Sequence, residues 1–108
     1  MAEVNRGEIW QFGFSHPNRR RPVLILTRQE VIGHLHSVTV APITRTIRGI
    51  PSEVVVGPES GLKVTSAINL DNLVTVPKNE LHAFVGTAPP SVMAAIREAL
   101  LFALGFDD

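Results

Sequence analysis

The chain has 108 residues, enough for one compact domain over 1–108, and 44% of them are apolar, enough for a core. It contains no cysteine, which excludes disulfides, thiolate chemistry and zinc–cysteine sites, and no low-complexity tract that would mark disorder. Formal net charge is zero, but residues 1–50 hold Arg6, Arg19, Arg20, Arg21, Arg28, Arg45 and Arg48 against only Glu3, Glu8 and Glu30. If the segments carrying Arg19, Arg20, Arg21, Arg45 and Arg48 meet in space, they form a cationic patch suited to phosphate. The plain alternative is that these arginines only solubilise the surface. The first residues, MAEVNRGEIW, have no apolar leader core, and no apolar run reaches membrane-spanning length. A cytoplasmic protein without a membrane partner is expected.

In chain order, the first predicted element is a half-buried strand at residues 7–14, with Trp10, Phe12 and Phe14 alternating onto one face. Ser15-His16-Pro17-Asn18 is turn chemistry. Pro22 to Thr27 is a continuous apolar run, which predicts a strand buried on both faces, with proline tolerated at its first position. Residues 28–36 read as a polar connection. Residues 37–44 predict a third strand, bent or at an edge near Pro42, and 52–57 a fourth. Gly57-Pro58-Glu59-Ser60-Gly61 reads as a turn. Ser66 to Val76 reads as one β segment with a bulge at Asn72. A short helical turn is expected over 77–81 and a last strand over 83–87. A terminal helix follows from Pro89 to about Leu104, burying Val92, Ile96, Ala99, Leu100 and Ala103 and stopping at Gly105. Many short strands and one terminal helix make a mainly β domain, a small curved sheet or barrel closed by a helix.

The second and third strands lie close enough in sequence to pair as an antiparallel hairpin. With Thr27 opposite Ser37, Arg21 falls opposite Ile43 and Thr44 one step beyond, at the same open end. Arg45 and Arg48 follow on that rim. A guanidinium is a planar fork of donors matched to phosphate oxygens, and a threonine hydroxyl can donate to a third. Together they suit a phosphoryl transition state without a metal. They are a poor nucleophile–base pair, because arginine stays protonated. RNA brings its own nucleophile, the 2′-OH, so any cleavage here favours RNA over DNA.

Arg6-Gly7-Glu8-Ile9-Trp10, Arg21-Pro22-Val23-Leu24-Ile25-Leu26, Val40-Ala41-Pro42-Ile43-Thr44 and Gly61-Leu62-Lys63-Val64-Thr65-Ser66 occur in that order, followed by VGTAPPSVM. This ordered set resembles the MazF/PemK/Kid mRNA interferases, the toxin halves of bacterial toxin–antitoxin pairs, over nearly the whole chain. The resemblance implies an SH3-like β-barrel of short antiparallel strands with a C-terminal α-helix, and a homodimer. It implies metal-independent, cofactor-free cleavage of single-stranded RNA at short sequences. The RNA is mRNA, with tRNA or rRNA as alternatives, and a MazE-type antitoxin inhibits the reaction. Products would carry a 2′,3′-cyclic phosphate and a 5′-OH. The family's catalytic arginine maps onto Arg21 and its catalytic threonine onto Thr44. Arg19, Arg20, Arg45, Arg48, Lys63 and Ser66 are the expected RNA-binding residues, although Thr65 stands where relatives have an aspartate before Ser66. The stretch 15–20 is short and lacks the carboxylate many relatives carry.

Other candidates are weaker. His16 reads as a surface turn residue, and His34 with His36 lacks a third metal ligand in sequence. Trp10 could stack on a base, but its alternation favours the core. Two alternatives to the nuclease stand: a non-catalytic module like CcdB, the gyrase poison, or an RNA-binding barrel without cleavage. CcdB-type activity depends on a Trp-Gly-Ile chain end, whereas this chain ends LGFDD.

Overall fold

A computed structural model describes residues 3–13 and 20–107. Its strands are β1 (Glu8–Gly13), β2 (Arg20–Ile25), β3 (Ser37–Thr44), β4 (Glu53–Val56), β5 (Ser66–Asn69), β6 (Val74–Pro77) and β7 (Leu81–Thr87). The helices are α1 (Gln29–Ile32) and α2 (Pro90–Ala103). All ladders are antiparallel. The order is β4-β5-β3-β2-β1-β7, with β6 also paired to β3.

The central strands alternate between two cores. In β2 and just beyond it, Val23 and Ile25 join one cluster, with Trp10, Phe12, Val38, Val40 and Val76. Leu24 and Leu26 join the other, with Ile9, Ile43, Ile68 and Ile96 and Ala99 of α2. The double burial expected from the run 22–27 is therefore present. β1 is also buried on both faces, not one as its alternation suggested, because Ile9 is fully enclosed opposite Trp10 and Phe12. Phe14 lies outside the described residues.

β3 is the shared strand. On one edge Val40, Ala41 and Pro42 face β2. On the other, residues 37–40 pair with β6 while Ile43 and Thr44 pair with β5. The change of partner falls at Ala41 and Pro42, where proline has no N–H to give a ladder. The predicted bend is thus where the sheet divides. Residues 66–76 are two strands rather than one bulged segment. A corner at 70–73 separates them, closed by the Asp71 N–H donating to Asn69 Oδ1 at 2.8 Å and by the Ser52 hydroxyl donating to Asp71. The corner was hidden in sequence because Leu70 and Val76 are both core residues, of different clusters. Residues 28–36 include the short helix α1, and 78–80 form the expected helical turn.

α2 stops as its sequence implies. Gly105 has φ +79°, Phe106 N–H donates to the Leu101 carbonyl at 2.7 Å and Gly105 N–H to that of Phe102 at 3.1 Å. This is the paired closure of a left-handed C-terminal cap.

The fold is mainly β with a terminal helix, but the barrel is open. β4 and β7 are the outer strands, and among the described residues no ladder joins them. What meets β7 there is the turn at 58–60, backbone to backbone. A Cβ on Gly86 would lie 2.1 Å from the Ser60 carbonyl oxygen, and one on Gly61 (φ +91°) 2.5 Å from that of Val85. Two glycines thus replace the missing ladder by close approach. Gly86→Ala is expected to destabilise by about 2 kcal/mol or more, since backbone has to move. Ser60 Oγ is buried and has no hydrogen-bond partner among the described residues, so Ser60→Ala should be neutral or stabilising. Urea midpoints of the two variants check both signs.

Candidate active site

Arg20 and Arg21 open β2 and stand opposite Gly13 and Phe12 of β1. The β2–β3 register is one step from the sequence expectation: Val23 faces Pro42 and Leu24 faces Ala41. Extended two steps past its last pair, Val23 with Pro42, this register sets Arg21 level with Thr44 rather than Ile43. Alternation from Val23 and Val40, both in the Trp10 cluster, puts Arg21 and Thr44 on the same face. β5 holds Thr44 from its other edge, opposite Ala67.

A groove of about 810 Å³ surrounds this end of the ladder, lined among others by Arg20, Arg21, Thr44, Arg45, Lys63 and Ser66. Among the described residues no carboxylate lines it. Its four cations make no ion pair or hydrogen bond among the described residues; the ion pairs present are Arg28–Glu30 and Arg97–Glu98, both exposed. Unneutralised positive charge in a concave site attracts polyanions well beyond contact range.

Thr44 Oγ1 accepts the Thr46 backbone N–H at 3.2 Å. That contact uses a lone pair and leaves the hydroxyl hydrogen to donate. Ser66 is buried, and its hydroxyl donates to the Val64 carbonyl at 2.9 Å. It therefore shapes the Lys63 loop and has only acceptor capacity left.

The loop after β3 is tied down by Glu53. One carboxylate oxygen accepts the N–H of Arg48 at 2.9 Å and of Gly49 at 3.1 Å. Arg48 is exposed and is not among the groove's lining residues, whereas Arg45 is. Arg19 and His16 lie outside the described residues. Trp10 is buried, its indole N–H donating to Glu8 at 3.0 Å, and is a core residue. Arg6 is structural, its guanidinium bonding the Leu26 carbonyl. Among the described residues no three His, Asp or Glu side chains gather as a metal site, so His34 and His36 find no third ligand there. Sequence reasoning missed Phe84, a groove residue that is 54% exposed. Within LHAFVGT it looks like any strand aromatic. Only its partner across the ladder, Trp10, carries a signal.

A family profile described as "PemK-like, MazF-like toxin of type II toxin-antitoxin system" matches residues 5–104. The chain belongs to this family. It is 43% identical over 90 residues to Endoribonuclease MazF3 of Mycobacterium tuberculosis, covering 83% of this chain and 87% of that one. A solved structure of Mycobacterium tuberculosis toxin MazF-mt6 superposes with TM-score 0.85 at 40% identity, covering 94% of this chain and 99% of that one. Another, described as an endoribonuclease in complex with its cognate antitoxin from a Mycobacterial species, superposes with TM-score 0.87 at 32% identity, over 95% and 96% of the two chains. The chain is an endoribonuclease toxin of the MazF type. No helix among the described residues is long and apolar enough to cross a membrane.

The Glu53 contacts give a test of how the groove wall is held. Glu53→Ala removes the acceptor for two amides, and Arg48 and Gly49 N–H exchange should speed up by about tenfold, equivalent to about 1.4 kcal/mol of local opening. Hydrogen exchange read by NMR at those two amides checks it, with α2 amides as the unchanged reference.

Proposed function

We propose that the groove cleaves single-stranded RNA without a metal or other cofactor, with Arg21 and Thr44 as the catalytic residues and 1–108 acting as one toxin domain. The observation that carries this reading is a single groove lined by an unpaired guanidinium, a hydroxyl with its hydrogen to spare and further cations, with no carboxylate among the described residues.

The ribose 2′-oxygen attacks the adjacent phosphorus, and the bond from phosphorus to the 5′-oxygen breaks. This leaves a 2′,3′-cyclic phosphate and a 5′-OH. Arg21 binds the non-bridging oxygens as they gain charge, and Thr44 donates to the same group. Fixed donors of this kind stabilise developing charge without reorganising. The 2′ proton leaves to solvent, and the 5′-oxygen takes one from the Arg21 guanidinium, to which solvent returns it. Because arginine remains protonated, its part is stabilisation and donation rather than base catalysis. Arg20, Arg45 and Lys63 hold flanking phosphates, and Ser66 shapes the wall. In this reading Arg19 and Arg48 contribute charge that steers RNA toward the protein. mRNA is the expected substrate class. A cognate antitoxin and a homodimer belong to the same reading, the antitoxin supported by the complexed relative described above.

Arg21→Ala and Thr44→Ala should each lower the cleavage rate about 100- to 1,000-fold, the usual effect of losing one transition-state donor. Arg21→Lys, which keeps charge but loses the fork, should fall between. Cleavage of a long single-stranded RNA in EDTA, with product ends identified, is the measurement. Wild-type protein that leaves the RNA intact, or variants as active as wild type, would sink the assignment.

The flanking cations predict salt dependence. With four phosphate contacts, log Kobs for a single strand should fall against log salt with a slope of about −3. Arg45→Ala or Lys63→Ala should each flatten it by about 0.7. Arg48→Ala should change it less. Titrations of an uncleavable 2′-O-methyl strand at several salt concentrations check this.

A further inference from the structure

We propose that Phe84 is a stacking platform for one RNA base flanking the scissile phosphate, and so helps to set where the strand is cut. This rests on the reading of the groove as the RNA site. Phe84 lines that groove and is 54% exposed, against 6% for Trp10 and 7% for Phe12 on the same face. An exposed aromatic ring beside four unpaired cations and no carboxylate is the pairing used for single-stranded nucleic acid: charge for the backbone, a π-face for the base.

The ring is placed by the ladder. Trp10 faces Phe84, whereas Phe12 faces Leu81. Three steps on β7 therefore match two on β1, and the extra residue turns Phe84 onto the face of Trp10. That face also carries Arg21, opposite Phe12, and Thr44, level with Arg21. Trp10 then meets the ring edge-on, with centroids 5.8 Å apart and planes at 76°. This geometry fixes the ring while leaving most of it open. Strand spacing puts Phe84 two strands across and two residues along from Arg21, about 12 Å away. The distance suits a neighbouring nucleotide rather than the scissile phosphate. Phenylalanine has no polar handle, so it supplies stacking affinity, and base edges would be read by other groups.

The test uses the wild-type chain and an oligoribonucleotide spanning a cleavage site mapped on a long mRNA, made uncleavable by 2′-O-methylation at the attacking ribose. Flanking bases are removed one at a time as abasic residues. One abasic position should weaken wild-type binding about tenfold. In Phe84→Ala the intact strand should bind about tenfold more weakly, and that abasic position should then cost nothing further. Phe84→Trp and Phe84→Tyr should restore binding, whereas Phe84→Leu, apolar without a π-face, should not. Because binding is read on an uncleavable strand, the result does not depend on Arg21 and Thr44 being catalytic. The proposal is overturned if Phe84→Leu binds like wild type, or if no abasic position loses its effect in Phe84→Ala. It is equally overturned if the substitutions shift only the association state in sedimentation, which would assign Phe84 to a protein interface. Should Phe84→Ala fail to fold, the abasic scan on wild type still decides: no sensitive flanking position overturns it.

Discussion

β2 is enclosed on both faces, and the position of the site depends on that enclosure. Val23 and Ile25 are committed to one cluster, Leu24 and Leu26 to the other, and none can be withdrawn without losing about 1.5–3 kcal/mol of burial. A slip toward the N-terminus by two residues would carry Arg21 into the place of Val23, burying an unpaired charge. The arginines at the head of the strand thus act as a stop for the register as well as a cationic surface. With the register held, Arg21 has one place to be, at the open end of the ladder and level with Thr44.

The rest of the groove is hung on the same strand pair. β3 continues past Pro42 to take β5 as its partner, which holds Thr44 from the side away from Arg21. Glu53 at the start of β4 ties the loop after β3 at Arg48 and Gly49. On the far side, the close approach of Gly61 and Gly86 brings the Lys63 loop against β7. The cations come from three separate segments and converge because the sheet curls without closing.

Much of this was legible in advance. The run from Pro22 to Thr27 announced a strand with two buried faces, since an apolar stretch of that length without alternation has no solvent side. Gly105 closed the terminal helix as expected, whereas the first-turn proline is Pro90 and Pro89 is the extended N-cap before it. Motif order pointed to the family and to Arg21 and Thr44. Two errors came from hydrophobicity itself. The 66–76 segment looked continuous because both strands and the corner between them carry core residues. β1 looked half-buried because its aromatics drew attention from Ile9.

The amino-acid sequence alone determined which segments had to be buried, where the helix had to begin and end, and that an arginine headed the most buried strand. Those follow from solvation and backbone conformation, which are local properties. Tertiary structure alone decided that the β2–β3 register runs one step from the expected one, that Arg45 and Lys63 line one groove with Arg21 and Thr44, and that Phe84 is open where Trp10 is closed. Each depends on register, on a bulge or on which segments converge, and a ladder between segments far apart in sequence sets these only once the chain is folded.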